Sequence, residues 1–203
     1  MVRPGYENEM AETLAKADLA NAKGDHRTLV ELYKRLDEIG VGLVTARIGE
    51  MYECGGIGLD KDFVEATYWY RKAVNDSDDP LAHLGLGRIY FEGNVDIDRD
   101  LGKSKYHLQK AYDNDLPQAG IHLGIMSMFG EGTQKNLVDA ERFFLTAAAA
   151  GYPIAYIYLS NIAASSGHWA KALKMLIWEM ILTLKLKLID RNHPKLWSLP
   201  RRI

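Results

Sequence analysis

One cysteine, Cys54, is all that 203 residues contain, so no internal disulfide can form and no zinc site with two or more thiolates can assemble. Proline is scarce, six in all, and three of the six turn out to share one register. Neither sign of charge dominates. Lys and Arg number 25 against 27 Asp and Glu, for a net charge of −2, unlike the broadly basic balance of a nucleic-acid binder. No long uncharged apolar run exists. The greasiest stretch, 173–189, is interrupted by Lys174, Glu179, Lys185 and Lys187, short of the ~18 uncharged residues that suggest a membrane span, and reads as a buried terminal helix. Residues 1–9 lack the apolar core of a secretory signal. These absences predict a soluble, cytoplasmic protein with neither a membrane nor a nucleic-acid partner. What remains, 47% hydrophobic and 26% charged, excludes wholesale disorder and is enough for a sizeable core.

The sequence repeats. Val44-x-x-x-Ile48-Gly49-x-x-Tyr52-x-x-Gly55 aligns with Ala82-x-x-x-Leu86-Gly87-x-x-Tyr90-x-x-Gly93 and with Ala119-x-x-x-Leu123-Gly124-x-x-Ser127-x-x-Gly130. A degenerate fourth copy runs from Ala155 to Ser166. Each of the first three is followed by a second apolar pattern: Ala66, Trp69, Tyr70 and Ala73; Ser104, His107, Leu108 and Ala111; Ala140, Phe143, Phe144 and Ala147. Spacings of three and four are those of amphipathic helices, so each unit is a helix, a loop and a second helix. Glycine inside a helix costs about 1 kcal/mol relative to alanine. Gly49, Gly87 and Gly124 therefore predict close approach of a neighbouring helix, with Trp69-Tyr70 and Phe143-Phe144 filling the gaps between hairpins. Gly55, Gly93, Gly130 and Gly151 suit left-handed helix ends. Pro80, Pro117 and Pro153 each precede a first helix, where a missing N–H is harmless.

The pattern resembles the Sel1-like repeat, a relative of the tetratricopeptide repeat, over residues 43–165. Gly49, Tyr52, Gly55, Asp62, Ala66, Trp69, Tyr70 and Ala73 carry the likeness best. Repeat two has His107-Leu108 in place of Trp-Tyr, and repeat three has Ser127 for Tyr and Asn136 for Asp. The resemblance implies an all-α, right-handed α-solenoid of about five antiparallel helical hairpins forming one domain over 1–203. A tetratricopeptide-like hairpin at 9–40 precedes the repeats, with Ala11, Leu14, Ala15 and Leu19 marking its first helix and Leu29, Leu32, Tyr33 and Leu36 its second. A capping helix at 166–190 and a basic tail at 191–203 follow.

Candidate chemistry is sparse. Cys54 sits at a helix end beside Gly55-Gly56, a setting that can lower a thiol pKa. The six histidines fall in different hairpins without a paired metal spacing. His107, in the family's Trp slot, reads as a packing residue. His83 and His122 occupy similar places in successive repeats and could converge as a metal or proton site. Asp96, Asp98 and Asp100 resemble the start of a calcium loop, yet the glycine arrives one residue late and position twelve is His107 instead of Glu. No cofactor and no metal site is expected, and no catalytic constellation of nucleophile, base and orienting group is assembled.

The function expected is therefore non-catalytic protein–protein interaction. The resemblance implies a concave groove lined by first helices, which places Glu50, Glu53, Arg88, Phe91, Ile125, Met128 and Asn161 against a protein partner. Residues 171–203 hold eight basic and two acidic side chains, net +6, leaving −8 on the remainder. Among the roles the resemblance suggests is a bacterial immunity protein that binds and neutralises a basic toxin domain. A general regulatory or assembly adaptor is the alternative, and a metal-dependent hydrolase built on His83 and His122 is the rival from another class.

Overall fold

The computed structural model describes residues 5–189; the basic tail at 191–203, with its Leu196-Trp197, lies outside the described residues. Ten α-helices follow one another there: α1 (Glu7–Lys23), α2 (His26–Glu38), α3 (Thr45–Cys54), α4 (Phe63–Ser77), α5 (Pro80–Glu92), α6 (Leu101–Asp113), α7 (Ala119–Phe129), α8 (Leu137–Ala149), α9 (Ile154–Ser165) and α10 (Trp169–Ile189). Among the described residues an isolated bridge between Gly56 and Leu59 is the only β pairing, and no helix is long and apolar enough to cross a membrane. The chain divides between Lys110 and Ala111, inside α6, into two compact units.

Each repeat closes its loop in the same way. The backbone N–H of Asp62 donates to the carbonyl of Tyr52 at 2.9 Å, that of Asp100 to Tyr90 at 2.9 Å, and that of Asn136 to Ser127 at 2.8 Å. The same three residues then start the second helix. The Asp62 carboxylate accepts from the N–H groups of Val64 and Glu65, Asp100 from Lys103, and the Asn136 side chain from Val138 and Asp139. This satisfies donors that the first helical turn leaves orphaned. Asp100 is thus engaged in helix initiation. Gly55 and Gly93 end α3 and α5 at φ near +65° with ψ close to 180°, a region open essentially to glycine alone. Of the four glycines expected to be left-handed, Gly130 takes the left-handed helical form and Gly151 has φ +85°.

In the first unit, α1 pairs with α2, α3 with α4, and α4 with α5, while α3 also touches α5. Ala46, Ala66, Tyr70, Ala73, Ala82, Leu86, Ile89 and Tyr90 form its main core. The Tyr70 ring lies between two glycines. A Cβ on Gly49 would come within 2.7 Å of it and one on Gly85 within 2.3 Å, so the glycines are the slot that admits the ring. The α1 stripe departs from expectation. Thr13, Ala17 and Ala20 are buried while Leu14 and Leu19 are exposed, because α1 meets α2 through its small side chains, which allow closer approach.

In the second unit, α7 pairs with α8, α8 with α9, and α9 with α10. Phe144 packs against Gly124, whose Cβ would sit 2.6 Å from the ring, and stacks on Tyr158 at 4.7 Å between centroids. The α10 helix, Trp169–Ile189, lies within the expected 166–190 but does not have the expected burial: Ala172 and Leu186 are covered, whereas Leu173, Met180 and Leu184 are each about 60% exposed.

Candidate partner-binding site

First-helix side chains expected to face a partner come from α3 and α5 in the first unit and from α7 and α9 in the second. Two of them bond to each other. Glu53 on α3 receives Nε of Arg88 at 3.1 Å and its Nη2 at 2.7 Å, both from α5. The Tyr70 hydroxyl on α4 donates to the same carboxylate at 2.7 Å. Burial and then the Glu53 carboxylate push the Tyr70 phenol well above its ordinary pKa. Burial draws the Arg88 guanidinium down, but the Glu53 carboxylate, with Tyr70, outweighs it and leaves the group above its usual value. A two-pronged Arg–carboxylate pair of this geometry is strong and directional, and here it joins three helices. Glu50, one turn back on α3, is half-buried and pairs with Arg47 at 2.7 Å.

The apolar positions are less open. Phe91 on α5 is 6% exposed and Ile125 on α7 is 7% exposed, so neither offers much area to a partner. The Phe91 ring also carries the Arg99 guanidinium 5.6 Å from its centroid. Met128 is half-buried and Asn161 is exposed.

Of the remaining reactive groups, Cys54 is exposed and His83 and His107 are engaged within the fold. The Cys54 thiol, at the C-terminus of α3, is pushed up by desolvation and then by Glu53, the opposite of what a nucleophile requires. His83, wholly buried on α5, meets His107 of α6: their Nδ1 atoms are 2.9 Å apart, and the other ring nitrogen of His83 is 2.8 Å from Asp78. His107 therefore belongs to a polar chain in addition to packing near Tyr90. Burial, then His83, then Arg71 hold His107 down at about 4. Among the described residues no group of three or more His, Cys, Asp or Glu is placed to hold a metal. Sequence reasoning missed Tyr70 as the third member of the Glu53–Arg88 cluster, although Gly49 and Gly85 announced its slot. It also missed the His83–His107 contact, because the repeat alignment compares like positions and this pair joins unlike ones.

The Sel1 repeat family model matches residues 45–78, 80–116 and 117–152, more than half of the chain. Among curated proteins, the ERAD-associated E3 ubiquitin-protein ligase component HRD3B of Arabidopsis thaliana is 28% identical over 125 residues, covering 62% of this chain and 19% of that protein. Chitin synthase regulatory factor 3 of Schizosaccharomyces pombe is 28% identical over 159 residues, covering 78% of this chain and 17% of that protein. The chain thus spans less than a fifth of the length of either curated relative. Among solved structures, a Sel1 repeat protein from Oxalobacter formigenes superposes with a TM-score of 0.72 at 22% identity, covering 91% of this chain and 77% of the other. A protective antigen of uropathogenic Escherichia coli with an SLR fold gives 0.69 at 20% identity, covering 91% and 42%. At those identities the likeness concerns the fold, which is of the all-α solenoid class. Proteins built on this repeat serve as protein-interaction or adaptor modules and are typically non-catalytic. By the three matched repeats, their shared loop closure and their glycine-lined helix contacts, the chain belongs to the Sel1 repeat family.

Proposed function

We propose that the chain is a non-catalytic adaptor that binds a protein partner through first-helix side chains of each unit, Glu50 in the first and Met128 and Asn161 in the second, with Glu53 and Arg88 as positioning residues in the first. The observation that carries this reading is the Glu53–Tyr70–Arg88 cluster, which fixes α3, α4 and α5 against one another. A surface that is rigid before binding loses less conformational freedom on association. The adaptor role is supported by the two curated relatives, one a component of a ligase and the other a regulatory factor by name.

A second reading, immunity against a toxin domain, draws on charge. Outside 171–203 the chain carries −8, a field that attracts a basic partner and speeds its association.

Photo-crosslinking residues substituted at Glu50, Met128 or Asn161, and at the exposed second-helix positions Tyr68 and Leu145, test the surface. One protein should be captured from the first-helix positions and not from the second. Capture from Tyr68 and Leu145 alone overturns the placement. If the captured partner is basic and loses its own enzymatic activity on stoichiometric mixing, the immunity reading stands; unchanged activity eliminates it and leaves the adaptor.

A further inference from the structure

Helix α10 carries apolar side chains on more than one side, and an apolar helix face is normally covered. One side meets α9 and includes the buried Ala172 and Leu186. Another side is open. At 3.6 residues per turn, Trp169, Leu173, Ile177, Met180, Leu184 and Leu188 fall within an arc of about 100°. They are 70%, 61%, 45%, 61%, 58% and 78% exposed. Lys174 and Lys185 line one margin of that arc, and Lys187 emerges at its C-terminal end; all three are exposed. The helix has a single acidic residue, Glu179, which is half-buried away from this side and accepts from Thr183 at 2.9 Å. The open side thus combines aliphatic and tryptophan side chains with lysines and presents no carboxylate.

We infer that this side of α10 docks on an anionic lipid surface, lying in the plane of the headgroups with its apolar arc inserted and its lysines against lipid phosphates and carboxylates. Apolar arcs edged by Lys and containing Trp are the pattern of interfacial helices, and long lysine stems reach from the apolar boundary to the headgroups. A second copy of the chain fits less well, since two such faces would bring like charges together. Docking differs from spanning: α10 is committed to α9 along its other side and is not apolar enough to cross.

The full chain is sedimented with vesicles of phosphatidylcholine alone and of phosphatidylcholine with phosphatidylserine. Binding is expected to the mixed vesicles only and should weaken with added salt. Lys174→Gln with Lys185→Gln should weaken it roughly thirty-fold, at about one kcal/mol per lysine near an anionic surface. Ile177→Glu with Leu184→Glu should abolish it, and because both side chains are exposed the thermal midpoint should hold, separating lost docking from lost folding. Failure to bind the mixed vesicles overturns the inference, as does equal binding to both lipids. Two further results would overturn it in favour of another occupant: a concentration-dependent dimer, or capture of an acidic amphipathic peptide, either one lost in the Ile177/Leu184 variant while vesicles are ignored.

Discussion

Glu53 receives three hydrogen bonds from two other helices, and removing any donor leaves part of a carboxylate unsatisfied. Arg88→Met should cost about 2–3 kcal/mol, because an uncompensated charge is left in a half-buried site. Tyr70→Phe should cost about 1 kcal/mol. Urea unfolding measures both, and a double-mutant cycle should show them coupled. The Tyr70 slot gives a steric counterpart. Gly85→Ala would drive a Cβ into a ring pinned on its other side by Gly49, costing about 1–3 kcal/mol. Gly102→Ala in α6, where the nearest atom is Asp100 Oδ1 at 3.4 Å, should be neutral or stabilising by up to about 1 kcal/mol. His107 supplies a pH signature. Its folded pKa of about 4 lies below the ordinary 6.5 through burial and then His83 and Arg71, so the folded state binds the proton less readily. Stability present above pH 6.5 is lost as pH falls toward 4. Asp78, drawn below its ordinary 3.8 by its bond to His83, adds a loss of the same sign only below that pH. His107→Gln should flatten that fall, measured as thermal midpoint against pH.

Much of each element was legible because every repeat solves one problem again. Asp62, Asp100 and Asn136 recur at one register since each must close a loop and cap a helix, and replacing any of them with Ala should cost about 1 kcal/mol by thermal unfolding. Where an element lacks a repeat to compare with, periodicity alone misled. Ala11, Leu14, Ala15 and Leu19 keep helical spacing in α1 yet are exposed, and the contact runs through Ala17 and Ala20. In α10 apolar residues occur on both the covered and the open sides, so hydrophobicity fixed the helix but not which side was buried.

For the whole molecule, the period and its glycines were enough to identify a repeat array, since a fixed spacing of small and aromatic positions has few physical solutions. The surface positions were less legible. Register errors of a single residue turn a side chain by about 100° on a helix, and Phe91 and Ile125 are buried while Glu50 and Asn161 are accessible. Binding through first helices is the central claim. With a purified partner in hand, the affinities of Glu50→Lys and Asn161→Lys are set beside those of Tyr68→Lys and Leu145→Lys on the second helices. A first-helix surface predicts a loss of roughly tenfold or more for the first pair, the cost of one unfavourable charge at an interface, and no change for the second. Unchanged binding in the first pair, with loss confined to the second, would contradict it.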